Sequence, residues 1–237
     1  MQTDQYRQMY LLEDHHWWFL SKRKFISVFW PKTKSRLKIL DVGSGTGGLT
    51  KYLAKFGNVL GVEISSEAGR YLVQRKIKFV SKSIENCRFP EESFDFVVLG
   101  DVLYHSWIKN DQAVLKKISR WLRPHGYLLL TDSAGNFLTS KHDRKMMTRE
   151  RYSLSVLSER LIKAGFTINR RSYCFFLTFP LFVVSRILNK VIDFDTVSET
   201  NKIINQIFLQ ITSWEAFLLR YFDLPWGSSL IILASKK

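Results

Sequence analysis

Leu37 to Val42 is an apolar, β-rich run that stops at a cluster of glycines, with Gly43, Gly45, Gly47 and Gly48 following at once. Glycine lacks a Cβ, so Gly43, Gly45 and Gly47 at alternate positions let the backbone turn sharply and approach a ligand closely. Leu49 to Phe56 then reads as a helix, halted by Gly57 and Asn58, and its first unpaired N–H groups point back at the turn. Strand, glycine turn and helix in that order form the opening half of a βαβ unit. A chain that starts this way is committed to a parallel sheet with crossover helices.

The remaining sequence keeps the same rhythm. Val59 to Ile64 reads as a second strand, Glu67 to Lys76 as a helix and Lys78 to Ser81 as a short third strand. Phe94 to Leu99 is continuously apolar apart from Asp95, the pattern of a strand covered on both faces. Asp111 to Leu122 carries Val114, Leu115, Ile118, Trp121 and Leu122 at helical spacing, with Pro124 and Gly126 as its stop. Tyr127 to Thr131 follows as a strand, Ser155 to Ala164 as a helix ended by Gly165, and Phe166 to Tyr173 as a strand. Ser229 to Ala234, after Pro225-Trp226-Gly227, is a last short strand that must join the same sheet. Between Cys174 and Leu224 the alternation breaks, and helical spacing appears around Leu181 to Ile192 and Ile203 to Tyr221. The expected organisation is an N-terminal helical segment (1–36), an α/β core (37–173), a helical insertion (174–226) and a returning strand (227–237) around one core.

Composition narrows the function classes. Lys and Arg exceed Asp and Glu by enough to give a net charge of +15, which attracts phosphates on nucleic acid, anionic lipid or a phosphorylated substrate. Part of the excess is local, since Lys22, Arg23, Lys24, Lys32, Lys34, Arg36 and Lys38 follow one another with no acidic residue between them. Cys87 and Cys174 lie far apart and show no metal-ligand spacing, so no metal is expected and a reducing cytoplasm fits. No secretory signal is visible, and the longest uncharged apolar stretch, Ser172 to Ser185, falls short of the ~20 residues that span a bilayer.

Two cofactor classes fit the glycine turn. Gly43, Gly45 and Gly48 satisfy the dinucleotide pattern G-x-G-x-x-G, with the acidic Glu63 about twenty residues on. Glu63, at the end of the second strand, equally suits the hydroxyls of an adenosine ribose. Asp41, immediately before the turn, favours S-adenosylmethionine. Its carboxylate would pair with a methionyl ammonium and would repel a pyrophosphate.

The ordered motifs resemble those of class I S-adenosylmethionine-dependent methyltransferases. Ile39 to Gly47 resembles their first motif, Val62-Glu63-Ile64-Ser65 their acidic second motif, and Phe89 to Val98 the P-F-x-x-x-S-F-D stretch of quinone-type and related small-molecule enzymes. Leu122-Arg123-Pro124-His125-Gly126-Tyr127 is similar to the L-K-P-G-G turn before the fifth strand, so the resemblance runs in register from Leu37 to Thr131. It implies a Rossmann-like, doubly wound, mostly parallel seven-stranded sheet with an antiparallel last strand. It also implies a cofactor site of Asp41, Gly43, Ser44, Gly45, Gly47, Glu63, Ile64, Ser83, Ile84 and Gly100. Ser83 stands where the family usually has an aspartate for the adenine amino group, so a weaker, uncharged hydrogen bond is expected there, with Ile64 and Ile84 packing on the adenine faces.

Two flanking segments extend the resemblance. Glu13-Asp14-His15-His16-Trp17-Trp18-Phe19 to Arg23 resembles the H-W-W-F-x-x-R entry helix of methyltransferases often found with glycan and lipid-linked pathways, and the resemblance implies a lid over the cofactor. Leu224 to Ser229 is similar to the P-F-G-x-S turn before the last strand in the same group. Methyl transfer needs alignment, water exclusion and, for an oxygen acceptor, a base. Asp101 and His105, just past the fourth strand, are the candidates for chemistry, because ligands bind at the carboxyl ends of parallel strands. For His15 and His16, packing or capping is the expectation.

The insertion carries Phe175, Phe176, Leu177, Phe179, Leu181, Phe182, Val183 and Val184, then Arg186 and Lys190, which suits either a cavity wall or contact with an anionic membrane. The expected substrate is a small or lipid-linked molecule such as a quinone, isoprenoid or glycan-lipid intermediate. The expected location is the cytoplasm or the inner membrane face. RNA methylation, NAD-dependent oxidation and non-catalytic binding stay open as alternatives, nucleic acid being disfavoured by the lack of an appended RNA-binding module.

Overall fold

The computed structural model describes residues 3–32, 36–135, 147–188 and 200–237. Seven strands form one sheet in the order β3-β2-β1-β4-β5-β7-β6. They are β1 (Leu37–Val42), β2 (Gly57–Glu63), β3 (Phe79–Ser81), β4 (Phe94–Gly100), β5 (Leu122–Ser133), β6 (Phe166–Cys174) and β7 (Ser229–Lys236). β3, β2, β1, β4 and β5 pair in parallel, and β7 runs antiparallel to both β5 and β6. This is the seven-stranded doubly wound α/β sheet with an antiparallel last strand.

The central strands are buried on both faces, as their unbroken apolar runs require. Leu40, Val97, Leu99, Leu128 and Leu130 face α5 (Asp111–Trp121) and α6 (Leu154–Lys163). Ile39, Phe96, Val98 and Leu129 face the other layer, with Phe25, Ile26 and Phe29 of α2 (Trp17–Phe29) and Leu53 of α3 (Gly48–Leu53). α4 (Ser66–Gln74) links β2 to β3.

Two departures from the sequence reading have local causes. α5 ends at Trp121 and β5 begins at once, with Leu122 already extended and paired to Phe94. Pro124 denies Arg123 helical backbone, so the strand takes in the Pro-His-Gly turn that was expected to precede it. The opening segment forms two helices, α1 (Thr3–Leu12) and α2, because His16 takes an extended conformation and its side chain accepts the Trp18 N–H as a cap.

The insertion supplies α7 (Phe179–Leu188) and α8 (Lys202–Leu218). Expectations for Lys34, Lys190 and Ile192 lie outside the described residues, as does the side chain of Arg186. α8 packs on α2 through polar contacts: Ser21 and Thr212 hydroxyls lie 2.6 Å apart, Lys24 Nζ donates to Ser213 Oγ at 2.6 Å, and the Trp17 N–H donates to Asn205 Oδ1 at 2.7 Å. The N-terminal helices and the insertion therefore form one cover over one end of the sheet. No helix among the described residues is long and apolar enough to cross a membrane.

Candidate active site

Under that cover, at the carboxyl ends of the parallel strands, lies a cavity of about 460 Å³. One half is made by backbone. Gly43 and Ser44 donate their N–H groups to Val62 O at 2.8 and 3.1 Å, folding the turn against β2. Gly43 has φ +74°, and a Cβ there would lie 2.4 Å from Val102 Cγ2. Gly45 has φ +53° and lies under Met9 of α1. These positions require glycine for conformation and for space.

Glu63 lines the cavity and braces the turn: Oε2 accepts from Gly45 N at 2.8 Å and Oε1 from Ser65 N at 2.8 Å. Burial raises its pKa, against those hydrogen bonds. Each oxygen keeps a second acceptor direction for a ligand hydroxyl. Ser44, Ile64, Ser83, Ile84 and Gly100 line the same half, together with Lys82, which carried no sequence signal. Ser83 caps the short turn Ile84–Asn86 by accepting from Glu85 N at 3.3 Å, so part of its acceptor capacity is spent locally.

Asp41 and Gly47 differ from the sequence reading, since neither lines the cavity. Asp41 lies buried behind the turn, where Oδ2 accepts from Thr50 Oγ1 at 2.5 Å and Oδ1 has no partner. Burial, reinforced by Glu63 and Glu13, pushes its pKa up to about 7. Asp41 is thus held beneath the turn by Thr50, with its second oxygen buried. Gly47, at φ +94°, answers to packing: a Cβ would meet Ile77 Cδ1 at 2.6 Å and Leu72 Cδ2 at 2.9 Å.

The sequence reading did not assign Glu13 to the site. Its buried Oε2 accepts the Gly48 N–H at 2.9 Å, at the start of α3, and its Oε1 pairs with Arg75 at 2.7 Å. A Cβ on Gly48 would lie 2.3 Å from that carboxylate. The third glycine of the dinucleotide pattern thus makes room for an internal acid. That acid fills the helix N-terminus that a pyrophosphate would need.

The other half of the cavity is made by side chains from distant segments. Trp17, Trp18 and Ile26 of α2, Phe175, Leu181 and Phe182 around α7, and Phe208 of α8 form an apolar wall. Phe175 is the hub, with Trp17 and Phe25 edge-on at 5.8 and 5.1 Å and Trp18 parallel at 6.2 Å. Polar groups gather at the floor. Asp101, at φ 58°, is ion-paired with Lys22, whose ammonium also sits 4.3 Å from the Trp18 ring centre. Behind it Asp132 is fully buried, one oxygen accepting from Ser133 N at 2.8 Å and the other unpartnered; burial and then the Asp101 charge hold its pKa well above the usual range. His105 is buried between the rings of Tyr104 and Trp107, at 4.0 and 3.8 Å. Asp101 and His105 both line the cavity, with Arg151, Ser133 and Ser229 nearby.

His15 and His16 do not line it. Besides capping α2, His16 contacts Thr200 Oγ1 through Nε2 at 2.9 Å, and burial together with His15 pushes its pKa down to about 4. Among the described residues no group of His, Cys, Asp and Glu is arranged to hold a metal ion.

Residues 40–130 match the family described as methyltransferase domain. The chain is 30% identical to phosphoethanolamine N-methyltransferase of Plasmodium falciparum over 131 residues, 52% of this chain and 49% of that protein. It is 32% identical to sterol 24-C-methyltransferase of Aspergillus fumigatus over 118 residues, 44% of this chain and 31% of that one. The chain thus spans half or less of the length of these relatives. In fold it is similar to an S-adenosylmethionine-dependent methyltransferase from Mesorhizobium loti, with a TM-score of 0.63 at 15% identity over 94% of this chain and 100% of the other.

Proposed function

We propose that this chain, which belongs to the class I S-adenosylmethionine-dependent methyltransferases, transfers the methyl group of that cofactor to a small or lipid-linked acceptor with a substantial apolar portion. The observation that carries the reading is the two-part cavity: the glycine cradle opens into a chamber walled by Trp17, Trp18, Phe175, Phe182 and Phe208. Of the two relatives, one is named for a sterol acceptor and one for phosphoethanolamine.

The residues present fit the cofactor. The turn presents Gly43, Ser44 and Gly45 to the cavity, with Gly43 and Gly45 at positive φ, and Glu63 presents acceptors on the cavity side. S-adenosylmethionine supplies a methyl carbon already activated by a sulfonium. The chain's own contribution is then to align, to exclude water and to handle a proton. α1 and α2 close over the turn through Met9 and Glu13. The Lys22–Asp101 pair sits at the floor of the acceptor chamber, and in this reading His105, which lines the cavity and stacks on Trp107, takes a proton from an acceptor hydroxyl or ammonium.

The test incubates the protein and methyl-labelled cofactor with fractionated host extract, alongside calorimetry of cofactor binding. Label in an organic-extractable product, lost in His105→Ala with cofactor affinity retained, is the expected result. Label confined to RNA or to water-soluble metabolites would replace the acceptor assignment, and absence of cofactor binding would overturn the reading as a whole.

A further inference from the structure

α8 wears its polarity inside out. Its buried side carries Thr212, Glu215 and Ala216, whereas Ile203, Ile207, Trp214 and Phe217 point to solvent, with Ile203 70% and Trp214 65% exposed. Spacings of four, seven and three residues put these four on one helical stripe, and Tyr221 continues it, 66% exposed, in the turn beyond. A water-facing helix has the opposite arrangement. The buried Glu215 shows that the inversion is held in place: Oε2 accepts from Leu177 N at 3.1 Å, and burial raises its pKa.

α7 and its approach also expose apolar side chains, Leu177, Leu181 and Val184. Leu181 also lines the cavity, so the exposed surface and the apolar chamber meet at that side chain. Chemistry selects the partner. Trp and Tyr, here Trp214, Tyr221 and Trp226, are the side chains that settle at a bilayer's headgroup level. Lys202 and Arg220 flank the stripe, the exposed face of α8 carries no acidic residue, and the chain as a whole bears +15. A patch of this kind without a partner is unusual on a soluble monomer.

We propose that the α7–α8 face docks in the plane of an anionic phospholipid surface, setting the mouth of the cavity against the lipid. The stripe would lie at the boundary between headgroups and acyl chains, with cationic side chains meeting the headgroups. The docking does not depend on which acceptor is methylated.

The experiment is cosedimentation of the full chain with vesicles of phosphatidylcholine alone and of phosphatidylcholine mixed with phosphatidylglycerol, at low and high salt. The parent should bind the mixed vesicles and release at high salt. Trp214→Glu with Phe217→Glu should weaken that binding about tenfold or more, and Ile203→Glu, at the far end of the stripe, should weaken it less. Both variants should keep the parent's cofactor affinity by calorimetry, which separates loss of docking from misfolding and from failure of the methyltransferase reading. Equal binding to neutral vesicles, no binding at low salt, or a parent dimer that the double substitution dissolves would each overturn the proposal, the last by assigning the face to a second copy of the chain.

Discussion

The two halves of the cavity are built on different principles. The cofactor half is drawn mostly from one stretch, Val42 to Ile84, with Gly100, and its shape is set by backbone: two cavity-lining glycines at positive φ, Gly43 and Gly45, and one acidic brace. The acceptor half gathers Trp17, Asp101, His105, Arg151, Phe175 and Phe208 from segments far apart in the chain, and its shape is set by side-chain packing. A backbone-made site tolerates little change at few positions, whereas a packed wall spreads the same burden over many. Substitutions should therefore act sharply in one half and by degrees in the other.

The largest expected effect is at Gly43. Gly43→Val places a β-branched residue at φ +74° with its Cβ 2.4 Å from Val102 Cγ2. Left-handed backbone alone costs such a residue about 1–3 kcal/mol, and the clash moves the turn itself. Cofactor affinity by calorimetry should fall about a hundredfold or more. Phe182→Ala in the apolar wall should leave it unchanged while raising the KM for the acceptor. Comparable cofactor losses in the two variants would break the distinction between the halves.

A second substitution tests how far the cofactor half depends on its cover. Glu13 joins α1 to the start of α3 and to Arg75, which also reaches Asp14 at 3.1 Å. Removing one partner of a buried pair usually costs about 3–5 kcal/mol, but Asp14 keeps part of Arg75's compensation. Glu13→Ala should lower stability by about 2 kcal/mol in chemical denaturation, with faster amide exchange concentrated in α1. An unchanged exchange pattern would show that α1 holds its place without this clasp.

The same contrast explains what was legible in the sequence. The strands around the turn could be read because their signals are local: an apolar run, a glycine, a helical period. Gly43, Gly45 and Glu63 were legible for the same reason. Asp41 is legible as a strand-end carboxyl, but one sequence cannot say whether such a carboxyl lines the cavity or lies beneath the turn, where the structure has it. Glu13 opens the entry-helix segment and Phe208 lies in a helical run, but neither pattern marks a cavity residue, and both reach the cavity through tertiary packing. The inverted polarity of α8 was half visible. Its helical spacing could be read from Ile203 to Tyr221, but which face turns outward depended on where α2 docks.

The smallest expected effect, a stability slope with pH, separates the halves by sign. Asp41 behind the cofactor turn has its pKa raised by burial from an ordinary 3.8 to about 7. Between those values the native state holds a proton that the unfolded chain has released, so stability falls as pH rises through the window. His16, in the cover, is pushed down from 6.5 to about 4 by burial and by His15. There the unfolded chain holds the extra proton, so stability rises as pH climbs through that window and is lost on acidification. Relative to the parent, Asp41→Asn, which can still accept from Thr50, should gain stability from about pH 4 to 7, and His16→Gln should gain it as pH falls from about 6.5 to 4, each at no more than about 1.4 kcal/mol per pH unit. Thermal melts of the two variants against the parent, at matched ionic strength, read the difference directly because the other buried carboxyls are common to all three. If both differences have the same sign, the charge hidden behind the turn is not held as the structure has it.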